Sequence, residues 1–472
     1  MDKKKDLVKN TVILAFGKIC TQFVNFFLLP FYTVLLTPSE YGIVDLFNTY
    51  ITLLVPLFNW QFETGLFRFM IDFRDNPKQK KSLFSTVIIT NTIQALIYIL
   101  FYLVFQRFIG SEYKIYLAID VVLNIFLNTL LQYPRGTGDN QIYSLGGFIS
   151  ALVTIPMNIL LIGVFGLKAH GLFLGTVIGK IITIFYLIYA NRIWNYFSFK
   201  SFNIGLLKDL IRYSVPLIPN QLSWWVVGVS DRTIISKAIS VAANGVYSVA
   251  NKFSTVYITL YNIFNLSWTE SVSLHIGDPD SREYIEETIN TMFCLFSSIC
   301  FCIIAVMPFA FKYVVGSEFN SAYNQIPILM IAALFQSAVG LYSVIYVALK
   351  KSVEIAKTSF YAALVNIGVN VLLIRYIGLY AASFSTLLAY MSMFIYRYFH
   401  VKKYLNVPLT QKNILYPTIL GSLVIYMYYS HNLLLNIISF VLSLICLFFM
   451  NKSIVLQVLV LIKKYVKKCK RS

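Results

Sequence analysis

Charge is scarce in this chain. Only 12% of its 472 residues are Asp, Glu, Lys or Arg, while 58% are hydrophobic and the mean hydropathy is +0.70. That balance excludes an ordinary soluble protein, in which about a quarter of the residues are charged. Acidic residues are the scarcer sign, with 20 Asp and Glu against 39 Lys and Arg, for a net charge of +19. Such an excess raises nucleic acid as a partner, but no basic stripe interleaved with aromatics marks a soluble surface. The cations sit instead in short clusters between apolar runs, the pattern of loops in a polytopic membrane protein. Histidine is rare: His170, His275, His400 and His431 have no metal-ligand spacing, so no metal site is expected. The six cysteines (Cys20, Cys294, Cys300, Cys302, Cys446, Cys469) lie in apolar spans or the basic tail. Their spacing fits neither a disulfide framework nor zinc, and they are expected to be reduced and structural. A sizeable polar loop, which could hold a catalytic acid or base, is missing, so neither an enzyme nor a cofactor is expected. Gly136-Thr137-Gly138 follows no strand and reads as a loop turn. The first ten residues precede a span without an A-x-A-like cleavage site and are expected to lead into an uncleaved first helix.

What is present is a series of apolar runs, about fourteen of them long enough to span a bilayer. They cover roughly 11–36, 43–65, 83–106, 115–134, 142–165, 170–190, 211–230, 244–270, 288–311, 325–349, 355–375, 379–400, 413–430 and 432–461. The fold expected is therefore an all-α polytopic membrane protein. With the N-terminus in the cytoplasm, the outside loops carry only Arg107, Lys114, Lys168, Arg232, Lys237, Lys312 and Arg375. The remaining loop cations, Arg397 among them, fall inside, which places both termini in the cytoplasm of a bacterial cell membrane. Lys18, Lys180 and Lys252 are left within spans.

The stretch from Val215 to Glu270 organises the chain: two apolar spans joined by a polar turn form a membrane hairpin. Its second half opens Gly245–Asn251 (GVYSVAN), which echoes Gly42–Asn48 (GIVDLFN) near the start. The echo suggests two pseudo-symmetric lobes, an N-lobe of six helices at 1–212 and a C-lobe of six at 213–404. Two further helices and a basic tail occupy 405–472. An even number of spans per lobe makes this a parallel repeat. The segment Asn191–Arg212, amphipathic and aromatic, would join the lobes along the cytoplasmic interface.

Polar residues inside the spans are the candidate site. Lys18, Gln22 and Asn25 stripe the first helix; Asp45, Asn48, Thr52, Asn59 and Glu63 follow one face of the second, with Arg68 just beyond. Asp120, Asn124 and Asn128 stack on the fourth, and Thr176, Lys180 and Thr183 on the sixth. Asn220, Gln221 and Ser223 open the seventh, and Ser248, Lys252, Thr255, Thr259 and Asn262 stripe the eighth. A single Asn or Thr is ordinarily interhelical glue. A lysine at membrane depth needs an anion, a carboxylate or water, so Lys18, Lys180 and Lys252 read as cavity residues. The competing readings pair Lys180 with Asp120, and Lys252 with Glu270 or Asp45. Asp231 and Arg232 read as loop residues, paired with each other or exposed to water. Trp224, Trp225 and Trp268 are read as amphipathic packing, with stacking on a sugar as the alternative.

Several of these stretches carry a resemblance. Lys9–Lys18 (KNTVILAFGK), Leu29–Gly42 (LPFYTVLLTPSEYG), Glu63–Asp72 (ETGLFRFMID), Asp231–Ser236 (DRTIIS) and Gly245–Lys252 (GVYSVANK) are similar to one exporter group. It is the polysaccharide-transport branch of the multidrug/oligosaccharidyl-lipid/polysaccharide (MOP) exporter superfamily, which includes the Wzx-type O-antigen and capsule repeat-unit flippases. The resemblance implies a V-shaped, two-lobed helical transporter working by alternating access. It implies an undecaprenyl-diphosphate-linked oligosaccharide as substrate, moved from the cytoplasmic to the outer leaflet, with cationic residues meeting the diphosphate. A polysaccharide polymerase and other assembly proteins are the implied partners. The first helix departs from the arginine-rich pattern of lipid II flippases and carries no acid at its middle, unlike the multidrug antiporters. A cation-coupled drug or metabolite exporter of the same fold is the alternative, and a membrane enzyme of polysaccharide assembly a more distant one.

Overall fold

The computed structural model describes residues 26–349 and 351–452, and among these there is no strand. The chain is a polytopic all-α membrane protein; ten of its described helices are long and apolar enough to cross a bilayer. The described residues divide into two compact units that meet in sequence at Ser248 and Val249.

In the first unit a short helix α1 (Leu29–Leu35) leads to α2 (Pro38–Asn59). The start of α2 is written in Thr37-Pro38-Ser39-Glu40. The Thr37 hydroxyl accepts from the Glu40 N–H, the Glu40 carboxylate accepts from the Thr37 N–H at 2.9 Å, and Pro38 occupies the first turn, where no N–H is needed. The span expected over 43–65 is not continuous. Trp60 and Gln61 both adopt left-handed backbone (φ 53° and 58°), and the chain restarts as α3 (Phe62–Asp72). Glu63 and Arg68 thus lie on a different helix from Asp45 and Asn48.

Helix α4 (Pro77–Phe105) is capped by Asn76, and α5 (Lys114–Thr137) ends on Gly138 at φ 96°. The Asp139 N–H returns to the Pro134 carbonyl at 2.8 Å, closing the helix end as left-handed glycine caps do. Gly136 and Thr137, read from sequence as loop, are therefore the last helical residues. Helix α6 (Asn140–Asn158) runs through a π-helical turn (Ile159–Val164), and α7 (Lys168–Ala190) packs along it. The connecting segment then crosses the start of α4. Ser82 and Ser85 donate to the Ser201 and Tyr196 carbonyls, and Thr86 accepts from the Asn203 N–H. Asn203 caps α8 (Ile204–Ser214).

Helix α9 (Ile218–Ala238) follows, then α10 (Val241–His275), which begins in the first unit and continues into the second. These two helices are the expected hairpin, joined by two residues. Polar groups within them, from Asn220 to Lys252, keep both outside the ten strongly apolar spans.

The second unit contains the rest of α10 with α11 (Ser281–Val314), α12 (Ile326–Ala348), α13 (Ser352–Ile377), α14 (Leu379–Val401), α15 (Gln411–Tyr429) and α16 (Leu433–Met450). Helix α14 packs closely on both α12 and α13. Asn290 anchors the approach to α15, accepting from the Thr410 N–H (2.8 Å) and from Asn413 (2.9 Å) while donating to the Pro408 carbonyl. The four described cysteines, Cys294, Cys300, Cys302 and Cys446, are free thiols.

Candidate functional site

The densest constellation of sequence-selected residues lies in the first unit, where α2 meets α9 and the start of α10. Gly42 and Gly245, the leading glycines of the two echoing motifs, touch each other. A Cβ on Gly42 would stand 2.1 Å from the Val241 carbonyl oxygen, and one on Gly245 would stand 2.0 Å from that of Pro38. Each glycine thus faces the residue four before the other, a reciprocal contact of the kind a two-fold axis produces. Only residues without a side chain let the two backbones approach so closely. Asn244 seals the contact by donating to the Gly42 carbonyl at 2.9 Å.

One turn further along α2, Asp45 receives the Arg232 guanidinium at 2.7 Å, with the two side chains only 15% and 11% exposed. Asp231 accepts from the Tyr247 hydroxyl at 3.1 Å and is itself buried. The loop expected at Asp231 and Arg232 is therefore corrected. Helix α9 runs on to Ala238, because Thr-Ile-Ile-Ser-Lys-Ala keeps helical periodicity, and Asp45 supplies the carboxylate that offsets burial of the arginine. Another turn along α2, the Trp225 indole N–H donates to the Thr49 carbonyl at 3.0 Å. Trp268 is buried and donates to the Leu341 carbonyl. Both indoles are thus engaged in packing. Asn48, on the same turn of α2 as Asp45, is exposed.

A second pair lies between α5 and α7. Lys180 reaches Asp120 at 2.6 Å, with side-chain exposures of 15% and 5%, and Asn124 donates to the Asp120 carbonyl. Of the two readings of Lys180, the structure contains the ion pair. Near the break after α2, Asn59 donates to the Glu63 carboxylate, so these two groups meet although the helix between them is interrupted. Arg68 pairs with Asp72 at 2.7 Å on an exposed face, and that hydrogen bond, with the attraction between the charges, raises the arginine pKa above its ordinary value.

Asn220 and Gln221 are exposed on the first turn of α9. Lys252 is half-buried and Asn262 exposed on α10; Asp45, one of the carboxylates weighed for Lys252, is held by Arg232. Lys18, Gln22 and Asn25 lie outside the described residues. Three of the four described histidines bond to nearby side chains, His170 to Tyr116, His275 to Asp278 and His400 to Tyr346, and His431 lies against the Tyr323 ring. Among the described residues no group of His, Cys, Asp and Glu could hold a metal ion.

Sequence reasoning missed Arg397, which it placed in an inside loop. Arg397 lies in α14, 1% exposed, and its guanidinium donates to Thr358 Oγ1 (3.0 and 2.7 Å), the Ile355 carbonyl and Ser343 Oγ. A signal was available: the buried stripe Ala389, Met393, Val401 at steps of four passes through position 397.

The second unit holds cavities of contrasting character. One, of about 730 Å³, is lined by Asp280, Glu283, Glu286 and Glu287 with Arg282 as its one cation among the described residues, a net negative charge that disfavours anions. Another, of about 370 Å³, is walled by Phe293, Phe301, Leu334, Phe335, Phe394 and Ile425 and suits hydrocarbon.

A family model described as polysaccharide biosynthesis protein matches residues 7–268. No curated protein matches. Among solved structures, the chain is similar to the lipid II flippase MurJ in an inward closed conformation, with a TM-score of 0.71 and 16% identity over 95% of this chain and 100% of that one. It is also similar to an inward-facing multidrug resistance MATE family transporter of the MOP superfamily, with a TM-score of 0.68 and 13% identity over 82% and 98%. A MOP superfamily transporter from Pyrococcus furiosus, described as having a binding pocket of reversed polarity, matches at 0.54 and 13% over 84% and 96%. At these identities the likeness is one of fold.

Proposed function

The chain belongs to the polysaccharide biosynthesis protein family, and from that premise we propose that it is a flippase for an undecaprenyl-diphosphate-linked oligosaccharide repeat unit. The unit would cross the bacterial cytoplasmic membrane from the inner to the outer leaflet by alternating access, for O-antigen or capsule assembly, with a polysaccharide polymerase as a downstream partner. Both termini would face the cytoplasm, in keeping with the distribution of Lys and Arg.

The observation that carries the proposal is the fastening of α2 to α9 and α10. By the same orientation Gly42, Asp45, Arg232 and Gly245 stand toward the outer face. A glycine contact, one ion pair and two hydrogen bonds make a closure that can separate as a unit. Its reciprocal form supports lobes at 1–212 and 213–404 related by an axis along the membrane normal. The apolar cavity in the second unit supports a hydrocarbon-tailed substrate.

Lys252, with Lys18, is the cation assigned to the diphosphate, since charge-assisted hydrogen bonds are about twice as strong as neutral ones. Lys180 is neutralised by Asp120 and would orient rather than bind. Gln22, Asn25, Asn48, Asn59, Glu63, Asn220, Gln221, Asp231 and Asn262 complete the polar path. Transport of a defined lipid-linked oligosaccharide in proteoliposomes tests the proposal. Lys252→Ala should abolish or strongly reduce it in protein of normal abundance, and Lys252→Arg should retain part, because charge persists while donor geometry changes. Normal transport by a stable Lys252→Ala protein would remove this lysine from the mechanism. The likeness to a multidrug transporter supports a second reading, cation-coupled export of a small molecule; failure with every lipid-linked substrate and ion-driven export of a soluble one would favour it.

A further inference from the structure

The segment from Asn191 to Ser214 is more than a connection. Its backbone between Tyr196 and Asn203 is fastened to the first turns of α4 by Ser82, Ser85 and Thr86, with the Ser82 hydroxyl 2.8 Å from the Ser201 carbonyl. That bond brings the backbone at Lys200 close to the turn of α4 that carries Lys80 and Lys81, Lys200 and Lys81 each being the residue that precedes its serine. Among the described residues none of these three lysines is ion-paired with a carboxylate. Like charges held together by fixed backbone, without local neutralisation, favour an anion between them. Beside them the same segment exposes large aromatics, Trp194 at 57% and Phe199 at 77%. Water would oppose that exposure, whereas the boundary between headgroups and acyl chains accepts it.

We propose that this rim, centred on Lys80, Lys81 and Lys200 and flanked by Trp194 and Phe199, is a binding surface for anionic phospholipid headgroups of the inner leaflet. The lysines take the phosphodiester charge and the aromatic rings lie against the first methylenes of the chains. The aromatics decide between the two sources of such a charge, because a free phosphate gains nothing from them. The surface is independent of what the protein transports. Its fixed backbone means that bound lipid restrains the junction of α4, α7 and α8 in place.

The test uses the full-length protein in neutral detergent, with phosphatidylglycerol, phosphatidylcholine and inorganic phosphate titrated separately and retained lipid read by native mass spectrometry. Phosphatidylglycerol should bind more tightly than phosphatidylcholine. Each lysine near an anionic headgroup contributes about fivefold in affinity, so Lys80→Gln, Lys81→Gln and Lys200→Gln together should weaken phosphatidylglycerol about a hundredfold. Phosphatidylcholine should be nearly unaffected by them. Should the triple variant fail to fold, Lys200→Gln alone, at an exposed position, should still cost about fivefold. Phe199→Ser should weaken both lipids. Equal binding of the two lipids, undiminished phosphatidylglycerol binding by the lysine variants, or binding of inorganic phosphate as tight as that of phosphatidylglycerol would each overturn the proposal.

Discussion

Two arginines, one in each unit, are largely buried and are held in opposite ways. Arg232 faces a carboxylate, so Asp45 and Arg232 together are neutral and the pair has one strong bond. Arg397 keeps its full charge and spreads it over hydroxyls and a carbonyl; among the described residues no carboxylate is in ion-pair reach. The hydroxyls are themselves oriented. Thr358 donates to the Glu354 carbonyl and Ser343 to that of Val339, so the lone pairs of both oxygens point at the guanidinium. The nearest acid by sequence, Glu354, bonds to Lys357 instead. An ion pair can be broken once water reaches both partners, and Asp45 and Arg232 are each slightly exposed. A guanidinium saturated by groups from α12 and α13 has no such route. The first arrangement suits a contact that opens, and the second one that does not.

The largest effect should therefore come from Arg397. Arg397→Met removes the donor common to Ser343, Thr358 and Ile355 and should lower stability by about 3 kcal/mol, seen as reduced abundance and melting temperature. Arg397→Lys should not restore it, since a single ammonium cannot reproduce the fork. If Arg397→Met were as stable as the parent, the guanidinium would be dispensable, and the contrast with Arg232 would lose one side.

Next in size is the glycine contact. Gly42→Val and Gly245→Val place a Cβ at 2.1 and 2.0 Å from backbone oxygens that cannot turn aside. Each should cut lipid-linked sugar export about tenfold or more, the effect of 1.4 kcal/mol against closure, while the protein remains in the membrane. Full export by either variant would mean that this contact is not part of the cycle.

Much of this was legible before the structure. The hairpin, the polar stripes and the two glycine motifs follow from hydropathy, helical spacing and repetition. Three things were not. The span over 43–65 breaks at Trp60 and Gln61, where no glycine marks the left-handed backbone, so the change of helix left no trace in the residues. The end of α9 was lost for the opposite reason: Asp231 and Arg232 look like loop because their charges are visible in sequence while Asp45, which neutralises one of them, is remote. Hydropathy sees each charge alone, and burial depends on the partner. Arg397 failed in the same way, although the apolar stripe through it pointed inward.

The Asp45–Arg232 pair itself should show a smaller effect that depends on its partner. Asp45→Asn and Arg232→Gln should each impair export. The double variant should recover part of it, with a coupling of about 1–2 kcal/mol in a double-mutant cycle on stability. Additive losses would show that the two charges act separately.

The smallest effect on stability is expected at the exposed pair. Arg68 and Asp72 are 49% and 52% exposed and one helical turn apart, so their 2.7 Å contact competes with water at both ends. Pairs of this kind contribute at most about 0.5 kcal/mol, and less in salt. Arg68→Gln should leave melting temperature and abundance near those of the parent. Export then becomes informative, because Arg68 lies in the stretch whose sequence resembles the exporter family and sits beyond the break that separates α3 from α2. A drop in export at constant abundance would assign Arg68 to the substrate path, with Asp72 holding the guanidinium in place; Asp72→Asn should then reproduce part of the loss. Unchanged export would class Arg68 with the other cations that orient the chain in the membrane. In that case Arg68→Lys and Arg68→Gln would differ only in how well the segment after α2 is retained on the cytoplasmic side, which a reporter fused after Asp75 would read.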